Sequence, residues 1–282
     1  MQDRAEKRNG GRGVRPKIAS SAEGPRPGWL GAVAPGRDLA RFGGAILLAT
    51  AFSAVQVFVI PRRLDLATYG HYRVFLLYVG YLSLLNLGLS DGAFLRWAGR
   101  AAAAIGHEWK TIGRWLVATQ AVVLLIAVLA ALLADQFLPR LYLIAFASSA
   151  LFSNASALSS LALQAAGDLR GAGRVAVLAP ASFVAAVLVI PAHTLDVILA
   201  LYVSSYAVAA VYGVLRVQRV AGGSPPGVSD DPPEYGHLIV TGLPVLGANI
   251  AAGLAQSTDR ILVSVMTPIT SFALYGFASI VT

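Results

Sequence analysis

Cysteine is absent from all 282 residues, which removes disulfides, thiolate metal sites, covalent haem attachment and cysteine nucleophiles together. Histidine is scarce and dispersed. No two of His71, His107, His193 and His237 have the i,i+3 or i,i+4 spacing of a helical metal site, so no metal is expected. No phosphate-cradling glycine loop occurs, so nucleotide hydrolysis and a bound cofactor are not expected either. The largest deficit is charge: 13% of residues are Asp, Glu, Lys or Arg, too few to coat a 29.4 kDa globule. What replaces them is apolar. Hydrophobic residues make up 56% of the chain and the mean hydropathy is +0.67, which excludes a cytosolic enzyme and calls for lipid as solvent.

Most of the first forty residues are of the opposite character. Residues 1–41 are Gly/Pro-rich and carry nine Lys and Arg, with Trp29 as their one aromatic residue. No apolar core of a signal peptide is present, and without interleaved aromatics there is no case for a nucleic-acid partner. A disordered cytoplasmic tail beside anionic lipid is the expectation.

From Phe42 onward apolar runs occur at about 42–60, 73–89, 115–134, 141–163, 174–190, 197–215 and 238–256, most near the ~20 residues that cross a bilayer. An eighth starts near Leu274. The fifth is short and contains Pro180, which a membrane helix holds when neighbours satisfy the freed carbonyl. With the tail inside, 17 of the 22 Lys and Arg fall in inside segments, so a multi-pass protein with a cytoplasmic N-terminus is expected.

An offset of 206 positions superposes Ala67, Tyr69 and Gly70 on Ala273, Tyr275 and Gly276, in each case after a long apolar run and a short loop. Six crossings separate the copies, so both point the same way through the membrane. The expected fold class is an all-α polytopic membrane protein of parallel six-helix repeats, the second truncated after about 1.5 helices. Residues 42–215 would form the first lobe, 216–237 a cytoplasmic linker and 238–282 the start of the second lobe. The chain is thus expected to be the N-terminal part of a longer protein.

Several segments carry a family likeness: Pro61-Arg-Arg-Leu-Asp-Leu-Ala-Thr-Tyr-Gly-His-Tyr-Arg73, Leu84-Leu-Asn-Leu-Gly-Leu-Ser-Asp-Gly-Ala-Phe-Leu-Arg96, Ser257-Thr-Asp-Arg-Ile-Leu262 and Ala273-Leu-Tyr-Gly276. Together they resemble the polysaccharide-transporter branch of the MATE-like flippase superfamily, over about residues 40–282. The resemblance implies a flippase of the bacterial cytoplasmic membrane that moves a polyprenyl-diphosphate-linked oligosaccharide for O-antigen, lipopolysaccharide or exopolysaccharide synthesis. It equally admits a small-molecule exporter or a peptidoglycan-precursor flippase of the same superfamily. An alternative of another class is a membrane-embedded transferase acting on the lipid carrier, but no two acids form the DxD or DE cluster such chemistry needs, so no enzyme is expected.

Ionisable groups within apolar runs mark candidate sites, because each costs about 2.5–3.5 kcal/mol at mid-membrane. Asp259 and Arg260 come about 31 Å along a helix started at Leu238, at ~1.5 Å per residue. They are either an interfacial anchor at its end or, if the helix continues to Met266, a substrate or ion site two turns inside. Neighbours in sequence diverge around a helix, so they do not simply neutralise each other. Asp91 and Arg96 close the second run. Arg96 either snorkels to the interface or faces a cleft where its guanidinium attracts a diphosphate. Arg62 and Arg63 are a second basic station or plain loop charges. Gln56, Asn86, Gln120, Asn154, Gln164 and Asn249 are expected to hydrogen-bond between helices. Asn154-Ala-Ser has the form of a glycosylation acceptor but falls inside the fourth run. That run is rich in Ala and Ser, which permits close helix approach, and Gly88 and Gly92 have small-xxx-small spacing.

Overall fold

A computed structural model describes residues 35–133, 137–191, 193–221 and 234–281. Residues 1–34 of the tail and 222–233 of the linker lie outside the described residues. Helix accounts for 91% of the described structure, with no strand. The chain is an all-α polytopic membrane protein.

The helices are α1 (Pro35–Val59), α2 (Leu66–Val79), α3 (Leu89–Trp97), α4 (Ala102–Leu133), α5 (Phe137–Ala165), α6 (Leu169–Val189), α7 (Leu195–Ala221), α8 (Tyr235–Met266) and α9 (Ile269–Val281), with single 3-10 turns at Ile60–Arg62 and Leu82–Asn86. Six of them are long and apolar enough to cross a membrane: α1, with its 3-10 extension, and α4 to α8. Together α2 and α3 make a seventh span that is broken and bent by 57°.

The first helix is described from Pro35, ahead of the 42 boundary. Asp38 in its first turn complements the helix dipole. The second span starts at Leu66 rather than Arg73. Asp65 caps it, accepting from the Ala67 and Thr68 amides at 3.0 Å each and from the Thr68 hydroxyl at 2.6 Å. These bonds, that from the Thr68 side chain first, hold the Asp65 carboxyl below the usual carboxylate range. Pro180 leaves α6 continuous over Leu169–Val189.

Successive spans alternate in direction, and Arg41, Arg96, Arg100, Arg170, Arg174 and Arg216 gather at one end of the bundle, called here the basic end. Ion pairs between described residues form there too: Asp38 with Arg41 and Arg170, Glu108 with Arg96 and Arg100, Asp168 with Arg216. The opposite, far end holds the Ile60–Arg62 turn and the α8–α9 corner.

α5 is the central helix, packed against α4, α6 and α7. Its Ala147, Ala150, Ser149 and Ser159 are fully buried, and Ser159 sits against Gly213 of α7 so closely that a Cβ there would collide. Small side chains let these helices meet nearly backbone to backbone, which drives packing where no hydrophobic effect operates. One core cluster, including Trp97, Ile105, Ile112 and Leu163, fills the basic end; another, including Ile60, Tyr72, Phe75, Phe183 and Tyr202, fills the far end.

The two hairpin copies meet in space. Gly70 of α2 lies against Ile269 of α9, and Arg73 reaches Gly276. Residue numbers rise together along both helices, so α2 and α9 run in the same direction, as an even number of crossings requires.

Candidate functional site

The polar groups between helices α1–α7 and the pair α8–α9 form three levels. At the basic end, Ile105, Glu108, Trp109, Ile112 and Leu116 share the buried face of α4. Helical period thus carries the Glu108 carboxylate inside, where it is 2% exposed. Arg96 Nε of α3 donates to its two oxygens at 2.9 and 3.0 Å, Trp97 Nε1 donates at 3.1 Å, and Arg100 Nη1 at 3.0 Å. Two guanidiniums thus share the Glu108 carboxylate. Asp91 stands half-buried in the first turn of α3, where the helix dipole favours a negative charge.

The middle level is the break itself. Leu87 and Gly88 adopt left-handed backbone, with φ of 54° and 79°. Breaking a helix inside a membrane strands carbonyls that no water can reach. Here side-chain amides replace the lost partners: Asn154 of α5 donates to the Leu82 carbonyl at 3.2 Å and Gln120 of α4 to that of Leu85 at 2.9 Å. Asn86 Oδ1 accepts from the Gly88 amide at 2.9 Å and so closes the turn. Asn154 is buried, consistent with a structural amide rather than a glycan acceptor.

At the far end α8 does continue to Met266. Arg260 therefore lies about 9 Å inside its terminus and Arg73 about 10 Å inside the start of α2. Their positive charges are within electrostatic reach of each other. Arg73 Nη2 donates to the Gly276 carbonyl at 3.1 Å. The Nε atoms of Arg73 and Arg260 are both buried without a partner among the described residues, as are the hydroxyls of Tyr69, Tyr72 and Tyr142. Asp259, itself within electrostatic reach of Arg260, accepts from the Tyr275 hydroxyl, while Tyr81 of the broken span hydrogen-bonds Ser257 of α8. Arg62 is exposed in the 3-10 turn, and Arg63 is half-buried, its carbonyl 3.4 Å from His193 Nδ1.

The structure thus bonds Asp259 to Tyr275 and Arg96 to Glu108 and leaves Arg73 and Arg260 within electrostatic reach without a bond between them; it does not join Arg62 or Arg63 to Arg260 through any described bond. Arg73 and Glu108 are the residues that sequence reasoning missed. A cap at Asp65 would have placed Arg73 two turns inside a helix, and extending the Ile112 and Leu116 period backward would have placed Glu108 on a buried face.

Inside the first lobe lies a separate cavity of about 530 Å³ between α1, α5, α6 and α7. Thr50, Ser53, Gln56, Ser156, Ser160 and Ser205 line it with hydroxyls and an amide, Tyr202 and Tyr206 close one side, and no charged side chain faces it.

No known protein family, curated protein or solved structure matches the chain. The long apolar helices make this a multi-pass membrane protein with the bilayer as its surroundings, an architecture that fits a membrane transporter in general.

Proposed function

We propose that the chain takes part in flipping a polyprenyl-diphosphate-linked oligosaccharide across the bacterial cytoplasmic membrane for cell-surface polysaccharide synthesis, with its basic end in the cytoplasm. The observation that supports this most is the Arg73 and Arg260 pair. Guanidiniums stay charged at any physiological pH, and two of them placed at membrane depth with unpartnered Nε atoms call for an anion. A diphosphate fits that need, since its oxygens accept paired N–H bonds from planar guanidinium forks. The site lies between α2 of the first lobe and α8, where movement of one lobe against the other would open or close it.

The test is Arg73→Gln and Arg260→Gln in the cell that makes the polymer, with Arg→Lys at each site as the charge-preserving control. Loss of surface polysaccharide with accumulation of the lipid-linked precursor, and partial recovery with lysine, is the expected outcome. Normal polymer from both glutamine variants at wild-type abundance would sink the assignment. Loss of the precursor itself would favour a transferase. A small-molecule exporter is favoured by one observation, the uncharged hydroxyl-lined cavity; export that survives both glutamine variants but fails when Ser53→Phe fills the cavity would establish it instead.

A further inference from the structure

A second cavity, of about 640 Å³, opens on the flank of the bundle at the basic end, between α1, α6 and α7. Its rim carries Arg41, Arg170, Arg174 and Tyr212. One carboxylate, Asp38, answers these three guanidiniums, meeting Arg41 Nη1 at 3.2 Å and Arg170 Nε at 3.0 Å. Arg174 turns instead to the Tyr212 hydroxyl at 3.5 Å. Among the described residues the rim therefore sets three guanidiniums against the one carboxylate that bonds them.

Below the rim the walls change character. Leu48 of α1 and Val177 and Leu178 of α6 line the cavity about two turns, or roughly 10 Å, further along their helices than Arg41 and Arg170. Gly173 brings α1 and α6 together at the floor, where a Cβ would collide with that of Ala45. Leu48 remains half exposed, so the apolar part is open sideways toward the hydrocarbon.

From this sequence of cationic rim, amphipathic tyrosine and apolar groove we infer that the cavity holds one anionic glycerophospholipid of the adjacent leaflet, with its phosphodiester on the Arg41, Arg170 and Arg174 guanidiniums and an acyl chain in the groove. The roughly 10 Å from Arg41 and Arg170 to the groove, with Arg174 one turn above it, spans the step from phosphate level to acyl chain, and basic pockets between helices at a membrane face are where acidic headgroups bind. A zwitterionic headgroup brings its own cation against the rim and so is disfavoured. A soluble anion would gain the rim but leave the apolar walls empty. The site is at the opposite end of the bundle from Arg73 and Arg260 and does not depend on what they bind.

The experiment is native mass spectrometry of the full chain, delipidated in a nonionic detergent and titrated with phosphatidylglycerol or phosphatidylcholine. One phosphatidylglycerol per chain should be retained, and the triple variant R41Q/R170Q/R174Q should weaken it by about a hundredfold, at roughly fivefold for each arginine. The variant Leu178→Trp keeps all three arginines and obstructs the groove, and it too should lose the lipid. Equal retention of phosphatidylcholine, undiminished phosphatidylglycerol binding by the triple variant, or displacement of the lipid by glycerol 3-phosphate alone would overturn the proposal. Lipid loss in the triple variant but not in Leu178→Trp would overturn the acyl groove and leave an anion site.

Discussion

Gly88 and Gly242 touch backbone to backbone: a Cβ on Gly242 would overlap the Gly88 carbonyl, and one on Gly92 would overlap the Leu238 carbonyl. This crossing of α3 and α8 is the most intimate contact between the first lobe and the helix that follows it. Gly242→Ala should therefore lower the midpoint of thermal unfolding in detergent, at a cost of about 1–3 kcal/mol for overpacking. The matched control is Gly113→Ala in α4, where the added methyl meets nothing within 4 Å. There helix propensity alone acts, and the change should be neutral or stabilising by up to about 1 kcal/mol.

Glu108 holds α3 to α4 through Arg96, Trp97 and Arg100. Glu108→Gln preserves its shape but leaves two guanidiniums facing each other over a neutral amide. A loss of about 3 kcal/mol is expected for breaking a buried pair. Chemical unfolding of the variant beside Arg96→Met/Glu108→Met, which removes a partner on both sides, should find the double variant the less damaged of the two.

The amides of Asn154 and Gln120 satisfy the carbonyls at the break in the second span. Asn154→Leu removes a donor from a site that water does not supply, at a cost of about 1–3 kcal/mol for the stranded group. Hydrogen exchange should speed up at Leu84 to Gly88 and stay unchanged in α6. Unaltered exchange at the break would show that other groups hold the bend.

Asp65 gives the far end a dependence on pH. Its folded pKa is depressed, so the stabilisation it supplies is complete above the ordinary carboxylate range near pH 4 and is lost as pH falls through the lower folded value. Stability of the wild type and Asp65→Ala, compared from neutral pH downward, should converge in acid. Asp65→Asn, which can still accept from the Ala67 and Thr68 amides, should fall between them at neutral pH.

The spans were legible because crossing a bilayer imposes a length and a composition that stand out in any window. Their true ends were not, because helices run past the apolar stretch into residues that hydropathy counts as loop. The α4 extension carries Glu108, and the α2 extension moves Arg73 from the edge of its run to two turns inside the helix. Asn86, Gln120 and Asn154 stood out as amides in apolar surroundings. Their destination, the carbonyls of a broken helix, depends on a bend that a run of apolar residues does not signal. Gly88 and Gly92 had the spacing of a packing motif, yet nothing local identifies Gly242, 150 residues later, as what they receive. Asp259 and Arg260 were singled out for their cost in lipid; the hydroxyl that bonds Asp259, Tyr275, and the charge within reach of Arg260, Arg73, come from the two hairpin copies that the offset of 206 positions had linked.

The bend of the second span has a consequence for biogenesis. Both amides that meet its carbonyls come from α4 and α5, which leave the ribosome well before α8 does. The elbow at Gly88 can thus set while only the first lobe is in the membrane, and its glycine surface is finished before there is anything to receive. When α8 is inserted it docks on a prepared seat, so its position is decided by lobe one.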